Sequence, residues 1–501
     1  MKKPKRNNSK KSGRLAFKDW LKAWPSHHPY WSAFFIGSIY FGYVISWMFG
    51  LRTAEIAQGL AFKFVSFSAA TIMVSSFALG YVFFVWLWRR LKLSFDGERW
   101  WLIPFVWVAA EYLRSVFFSF VSFGPGGRIG AYWSFGNVGY WLVDTPLAFA
   151  ARWGGLYLLC LMVAWLVVAG IKSWLTKSYK PVSYTVLIIF LLSFSGWLAY
   201  RTPTGPERSI AAVQFSNEYS PEAFSTNASD QLGRLPENSV DTIVLPEYSH
   251  LWEEKTTNDT AAATRALKSP SGLVIDSTQE KSVSLAHNLI TYHAADGSHL
   301  FTQQKWFSIP GGEYVPYIYQ VILAYAGQEQ LLMHFNDQKS INHGEVPEQP
   351  FYFNGVYWGG LACSGAIAPD LYRGMADRGA TVLTNSASLD TMGLSPLYHE
   401  EARGMARLHA IANSRPFIQA ARGGLSFIFD NNGKFIDQSQ KRGYQLLSGN
   451  INANETKTIY TMFGDWVVFM SIILIGGVIS TKYWKQRQQS YSRDHQSQTK
   501  R

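Results

Sequence analysis

The sequence predicts an α-helical transmembrane bundle joined to a layered α/β domain outside the cytoplasm, and three observations carry that reading. Apolar segments near spanning length crowd the first 200 residues, and one more follows residue 465. Lys and Arg collect in the two tails and in alternate connections. Between them, residues 201–465 are polar, with short β-rich runs alternating with helical stretches. The mean hydropathy of −0.03 averages these unlike parts. A chain of 501 residues also exceeds one ordinary domain. Its 20 Trp, 26 Tyr and 34 Phe suit rings held at bilayer interfaces.

A helix needs about 20 apolar residues to cross the hydrocarbon core. Segments 31–49, 62–87, 101–120, 154–171 and 183–200 meet or approach that, and a sixth covers 466–484. No small-residue cleavage site accompanies the first, so it reads as a retained anchor and not a signal peptide. Positive charge marks the N-terminal tail, the connection Arg89 to Arg99, the connection Lys172 to Lys180 and the C-terminal tail as cytoplasmic. The expected organisation is a cytoplasmic tail 1–30, a transmembrane domain 31–200, an extracytoplasmic catalytic domain 201–465, a transmembrane helix 466–484 and a cytoplasmic tail 485–501.

Gly124-Pro125-Gly126-Gly127-Arg128 and Asp144-Thr145-Pro146 break helices, so 124–152 is expected as a loop or re-entrant segment at the outer face. In the third span Glu111 and Arg114 stand three apart on one helix face. Ionisable groups there are costly and face the protein interior, as a structural ion pair or as a contact to lipid headgroups. The net charge of +12 lies largely in the tails. Basic tails beside spans mark the cytoplasmic side, and no basic face interleaved with stacking aromatics points to nucleic acid.

In the polar region, 209–215, 242–245, 272–276, 356–363, 380–383, 417–421 and 425–429 read as strands, with a weaker run at 332–335. Residues 396–413, opening on Pro, read as a helix. Pro and Gly follow several strands, so candidate functional residues fall at strand ends. Only two cysteines occur; Cys160 lies in an apolar span, which leaves Cys363 as the soluble-phase thiol. This count gives no disulfide framework, and the scattered histidines, His399 and His409 among them, lack metal-ligand spacing. No metal or cofactor is expected.

A thiol with an ordinary pKa near 8.5 needs a base or a cation to act as nucleophile. Val244-Leu245-Pro246-Glu247 supplies a carboxylate that can take the proton and return it to a leaving group. Lys305 can stabilise the thiolate and, with the backbone N–H of Ser364, the oxyanion of a tetrahedral intermediate. Glu313 can order the lysine or assist proton transfer. Each residue alone is an ordinary surface or core group; the weight lies in their joint occurrence and order.

Together with Val213-Gln214, Pro310 to Tyr314, Pro369, Arg373, Leu383-Thr384-Asn385, Arg415-Pro416, Gly423-Gly424 and Phe463 to Trp466, these segments resemble the bacterial apolipoprotein N-acyltransferases. Those are membrane members of the nitrilase, or carbon–nitrogen hydrolase, superfamily. The resemblance extends to Trp107–Arg114 and 146–157, nearly the whole chain. It implies an αββα sandwich, with Glu247, Lys305, Glu313 and Cys363 catalytic and Ser364, Tyr314 and Asn385 in substrate-binding or oxyanion roles. It also implies a two-step transfer: a phospholipid donates its sn-1 acyl chain to Cys363, and the α-amine of a diacylglyceryl-cysteine lipoprotein takes it from the thioester. The implied setting is the bacterial cytoplasmic (inner) membrane, as a multi-pass monomer with its catalytic domain periplasmic.

Three features depart from the family pattern. Ser364-Gly365 stand where an aromatic residue and a Glu usually follow the nucleophile. Ser386-Ala387-Ser388 replace an aromatic pair, and the spans counted are fewer than is typical. These departures leave open a divergent acyltransferase or amidase with another acceptor, and a catalytically silent paralogue that binds lipid or lipoprotein.

Overall fold

Long, mainly apolar runs make the bundle helices. The computed structural model describes residues 28–51, 60–216, 230–249, 257–281, 286–328, 330, 332–333, 341–392, 395–440 and 443–498. The expected tail 1–30 lies almost wholly outside them, as does half of the weak run 332–335. The bundle comprises α1 (Pro29–Val44), α2 (Leu60–Leu91), α3 (Ile103–Val121), α4 (Ala151–Thr176) and α5 (Lys180–Tyr200). Among the described residues five helical stretches are long and apolar enough to cross a membrane: Ser66–Leu91, Trp100–Val121, Pro146–Thr176, Lys180–Tyr200 and Trp466–Trp484.

The expected span 31–49 takes another form. Helix α1 has 16 residues and gives way to a 3-10 turn, Ser46–Gly50. The turn lets Trp47 pack on Phe135 and Tyr398, with ring centroids 5.6 and 4.9 Å apart, so the chain bends toward the polar domain. Helix α4 is broken near its start, where Gly155 has φ +63° and the Tyr460 ring occupies the space a Cβ would need.

The polar domain holds two sheets. Strands β1 (Glu207–Gln214), β2 (Thr242–Glu247), β3 (Leu273–Lys281), β4 (Ala286–Ala294) and β5 (His299–Gln304) belong to the first, with β6 (Ile341–Asn342) beside β4. The second runs through β7 (Phe351–Phe353), β8 (Val356–Ala362), β9 (Val382–Ser388), β10 (Phe417–Arg422), β11 (Phe427–Phe429) and β12 (Phe435–Gln438). Strand β13 (Gln445–Asn452) returns to the first sheet, antiparallel to β1. The pairs β1–β2–β3 and β8–β9–β10 are parallel, the arrangement that buries both faces.

Side chains alternate accordingly. Ile210, Val244, Ile275 and Tyr292 meet Trp358, Val382 and Ile418 between the sheets. The opposite face of the first sheet, with Val213, Leu245 and Val274, packs on α6 (Thr257–Ala266). Leu361, Leu383 and Phe417 of the second pack on α8 (Pro369–Asp377) and α9 (Pro396–Asn413). The result is the α–β–β–α layering that the resemblance implied. Helix α7 (Tyr317–Tyr325) follows the segment 305–316, and α10 (Ile459–Phe463) leads to α11 (Trp466–Gln498).

The loop 124–152 forms the seam between bundle and sandwich. The Tyr314 ring lies over Gly124 and Gly126, and its hydroxyl donates to Ser122 O at 2.9 Å. Ser134 Oγ donates to Ile367 O at 2.6 Å, and Gly136 N to Glu401 Oε1 at 2.7 Å. Arg403 and Arg407 of α9 both bind Asp144. Arg152, fully buried, donates to Ile411 O, Gly196 O, Asn431 O and Asn432 Oδ1.

Glu111 and Arg114 are linked through this loop. Arg114 Nη2 donates to Asn137 Oδ1 at 2.7 Å, and Asn137 Nδ2 donates to Glu111 Oε2 at 2.9 Å. Asn137 thus takes the place of direct contact between the two charges.

Candidate active site

Glu247 ends β2, Lys305 follows β5 and Cys363 follows β8, so the three side chains converge at the carboxyl ends of strands from both sheets. Lys305 Nζ donates to Glu247 Oε1 at 3.1 Å and to Glu313 Oε1 at 2.8 Å. All three groups are buried. Glu313 is fixed by its own loop: Ile309 N donates to its Oε2, and Asn288 Nδ2 to its Oε1, each at 2.7 Å. The same amide donates to Tyr248 Oη at 2.7 Å.

Cys363 is half-buried, with φ +39°, and Tyr248, just after Glu247, has φ +61°. Such values in residues with a Cβ cost about 1–2 kcal/mol and persist only where surrounding structure enforces them. At Cys363 the strand turns abruptly into a 3-10 turn, Cys363–Ile367. The thiol donates to Ser388 O at 3.4 Å and is an electrostatic neighbour of Glu247. Because the N–H of Ser364 falls in the first residues of that turn, it has no carbonyl partner within it.

The electrostatics follow from burial. Burial raises the Glu247 carboxyl, and the pull of Lys305 only partly reverses this, leaving it above the ordinary glutamate range. Burial opposes the Lys305 charge, but Glu247 and Glu313 outweigh it and hold the ammonium well above its usual value. Burial, reinforced by the Glu247 charge, pushes the Cys363 thiol far up. At rest Cys363 is therefore a thiol, with the Glu247 carboxyl as an electrostatic neighbour.

Three further expected residues lie as follows. Ser364 is buried, its Oγ donating to Phe307 O. Tyr314 is engaged at the seam through Ser122. Asn385 is within β9, opposite Leu361 and Gln419, and its Nδ2 donates to Gln419 Oε1 at 3.1 Å. Gly365 fits tightly: a Cβ there would lie 2.7 Å from Leu361 Cβ, so a glutamate at that position would displace Leu361.

Asn288 and Tyr248 escaped the sequence reading. The signal for Asn288 was its alternation with Ile290 and Tyr292, which places an amide on a buried strand face. No comparable signal marked Tyr248. Among the described residues no group of three or more His, Cys, Asp or Glu can hold a metal ion.

A carboxylate, a cysteine and a buried ammonium thus gather at strand ends of an αββα sandwich, residue types suited to thiol chemistry at acyl carbon. The chain belongs to the carbon–nitrogen hydrolase family, whose profile matches residues 209–460. Residues 20–169 match the apolipoprotein N-acyltransferase N-terminal domain. The apolipoprotein N-acyltransferase of Pasteurella multocida is 24% identical over 484 residues, covering 89% of this chain and 85% of that protein. That of Neisseria meningitidis serogroup A is 23% identical over 418 residues, covering 79% and 77%. A carbon–nitrogen hydrolase structure from Helicobacter pylori aligns with a TM-score of 0.40 and 18% identity, over 52% of this chain and 94% of that one.

Proposed function

We propose that this protein transfers an acyl chain from a phospholipid to the α-amine of a lipoprotein's N-terminal diacylglyceryl-cysteine, through a thioester on Cys363. The observation that carries the reading is the Lys305 ammonium held between Glu247 and Glu313, with the Cys363 thiol beside Glu247. The chain's similarity to apolipoprotein N-acyltransferases over most of its length supports the choice of substrates.

In the first half-reaction Glu247 takes the thiol proton as sulfur attacks the sn-1 ester carbonyl. Lys305 and the Ser364 N–H stabilise the oxyanion. Collapse breaks the ester C–O bond, Glu247 protonates the departing alkoxide, and a lysophospholipid leaves. In the second, the lipoprotein amine attacks the thioester carbonyl and loses a proton to Glu247. The C–N bond forms, the C–S bond breaks, and the proton returns to sulfur. Glu313 orients Lys305 throughout.

Both substrates are anchored in lipid, which suits a site adjoining a bundle. Helix α7 exposes Tyr317, Ile318, Val321 and Tyr325, an apolar surface suited to the bilayer interface. In this reading residues 201–465 lie outside the cytoplasm, with 31–200 and 466–484 in the inner membrane, and positive charge in the Arg89–Arg99 and Lys172–Lys180 connections supports that orientation. The protein acts as a monomer in this reading.

Intact-mass measurement tests the proposal. Full-length protein incubated with phosphatidylethanolamine should gain one acyl mass that hydroxylamine removes, and Cys363→Ser should give no hydroxylamine-sensitive adduct. Added diacylated lipopeptide should discharge the adduct as an N-acyl amide. An adduct that water discharges equally fast would assign the protein to hydrolysis instead.

A further inference from the structure

Arg152 and Arg415 are buried and Arg128 is part-buried, and the three differ in how fully their donors are used. Arg152 makes four side-chain hydrogen bonds and Arg415 five. Arg128, on the seam loop, makes one among the described residues, from Nη2 to Gly344 O at 2.8 Å. Its Nε is enclosed and without a partner. A guanidinium has five N–H donors, so most of this fork bonds to no protein group among the described residues. The remaining contact is a brace: its central carbon lies 4.6 Å from the centroid of the Trp306 ring. Stacking of this kind fixes the plane of the group and leaves its edge to a ligand.

The position adjoins the catalytic segment. Trp306 follows Lys305, and Gly344 N donates to Lys305 O at 2.8 Å, so both contacts of Arg128 are to the strip of chain that holds the catalytic lysine. The neighbouring ring of Tyr132 lies 6.0 Å from Trp306 and 5.0 Å from Phe307, whose carbonyl accepts from Ser364. On its other side Arg128 ends the turn that leaves α3, a helix of spanning length. That turn is tied to α7 by Tyr317 N donating to Phe123 O at 2.9 Å. Arg128 is thus between the lipid-facing helix and the wall of the site.

No carboxylate among the described residues lies within ion-pair distance of Arg128. Glu348 is an electrostatic neighbour, but its Oε1 accepts the N–H of Trp306 at 3.0 Å, and burial raises its carboxyl above the ordinary range. Burial lowers the Arg128 guanidinium, as expected for a cation held without a full counter-charge. An arriving anion would supply that charge, and a planar fork matches two oxygens of a phosphate.

We propose that Arg128, braced on Trp306, is the docking group for the phosphodiester of the phospholipid acyl donor. This rests on the acyl-transfer reading above and adds to it a residue that selects the donor by its phosphate. Arg128 acts on binding and leaves the chemistry at Cys363 to the Glu–Lys–Cys cluster.

The test uses full-length Cys363→Ala protein, which cannot turn over, in detergent micelles. Equilibrium binding is measured for radiolabelled ether-linked phosphatidylethanolamine and for the matching ether-linked diacylglycerol, which lacks the phosphate. With Arg128→Gln the phospholipid should bind about ten- to a hundredfold more weakly. Diacylglycerol binding should stay within about twofold, and Arg128→Lys should recover part of the phospholipid affinity. Equal weakening for both lipids would reduce Arg128 to a structural clasp, and no weakening for either would remove it from the site. Millimolar inorganic phosphate should leave phospholipid binding unchanged; displacement would assign the fork to free phosphate and overturn the lipid assignment. The thioester measurement is a separate readout, so a failure of acyl transfer is not confused with a failure of phosphate docking.

Discussion

Two buried clusters of carboxylate, cation and amide among the described residues are built to different ends. In the bundle, Asn137 stands between Arg114 and Glu111, one cation to one carboxylate. Val138 N and Phe135 O of the same loop take up further donors and acceptors at 3.4 and 3.0 Å. In the sandwich, Asn288 supports Glu313, and one Lys305 serves two carboxylates with a thiol alongside. The bundle cluster is balanced and locked by main chain, whereas the second has a surplus of negative charge beside a half-buried nucleophile on a strained turn. A buried polar network becomes a reaction site when its charge is left uneven and one member can still meet a ligand.

The largest expected effect comes from Lys305→Met. Loss of the ammonium removes an oxyanion donor, lowering thioester formation by about a hundred- to a thousandfold. It also leaves Glu247 and Glu313 without their cation, at roughly 3–5 kcal/mol in stability. Arg114→Ala should share only the second consequence. Glu111 loses its compensating charge, so the thermal unfolding temperature and yield fall, while thioester formation per folded molecule stays within about threefold. A hundredfold loss of rate in well-folded Arg114→Ala would dissolve the distinction between the clusters.

The acid limb of the reaction sharpens the contrast. In the proposed reaction Glu247 accepts the thiol proton as a carboxylate, and its folded-state value lies above the ordinary glutamate range because of burial. The rate of thioester formation should therefore fall as pH drops through that raised value, at higher pH than the ~4.3 of a free glutamate. The linked stability has the opposite sign. A raised carboxyl favours the fold in its protonated form, and this contribution is lost as pH rises through the folded value. In Lys305→Met the limb should move further up, since the cation that lowers Glu247 is gone. An acid limb that stays in place would separate the lysine from the base.

How much of this was legible in the sequence follows from which interactions are local. Spans 62–87, 101–120, 183–200 and 466–484 declare themselves through composition, because a lipid-facing helix must be apolar along its whole length. Glu247, Lys305 and Cys363 were legible because each stands in a short pattern at a strand end. The turn at Ser46–Gly50 was not, since its cause is Trp47 packing on Tyr398, some 350 residues further along. Asn288 and the loop around Asn137 likewise owe their roles to partners far away in sequence. Hydropathy marked 124–152 as a break without revealing that its peptide groups join the two domains.

Tyr314 is the smallest and most discriminating case. The resemblance assigns it to substrate or oxyanion binding, whereas here its hydroxyl donates to Ser122 O and its ring covers the glycine turn below α3. If the seam is its main duty, Tyr314→Phe keeps the ring and removes one buried hydrogen bond. That costs about 1 kcal/mol, a fall of a few degrees in unfolding temperature, with thioester formation within about threefold of wild type. The alternative leaves another signature: an unchanged unfolding temperature and a loss of about a hundredfold in kcat with little change in KM, as expected for a donor that acts only in the transition state. Measuring both quantities on one preparation decides whether Tyr314 belongs with the balanced contacts of the seam or with the uneven cluster around Cys363.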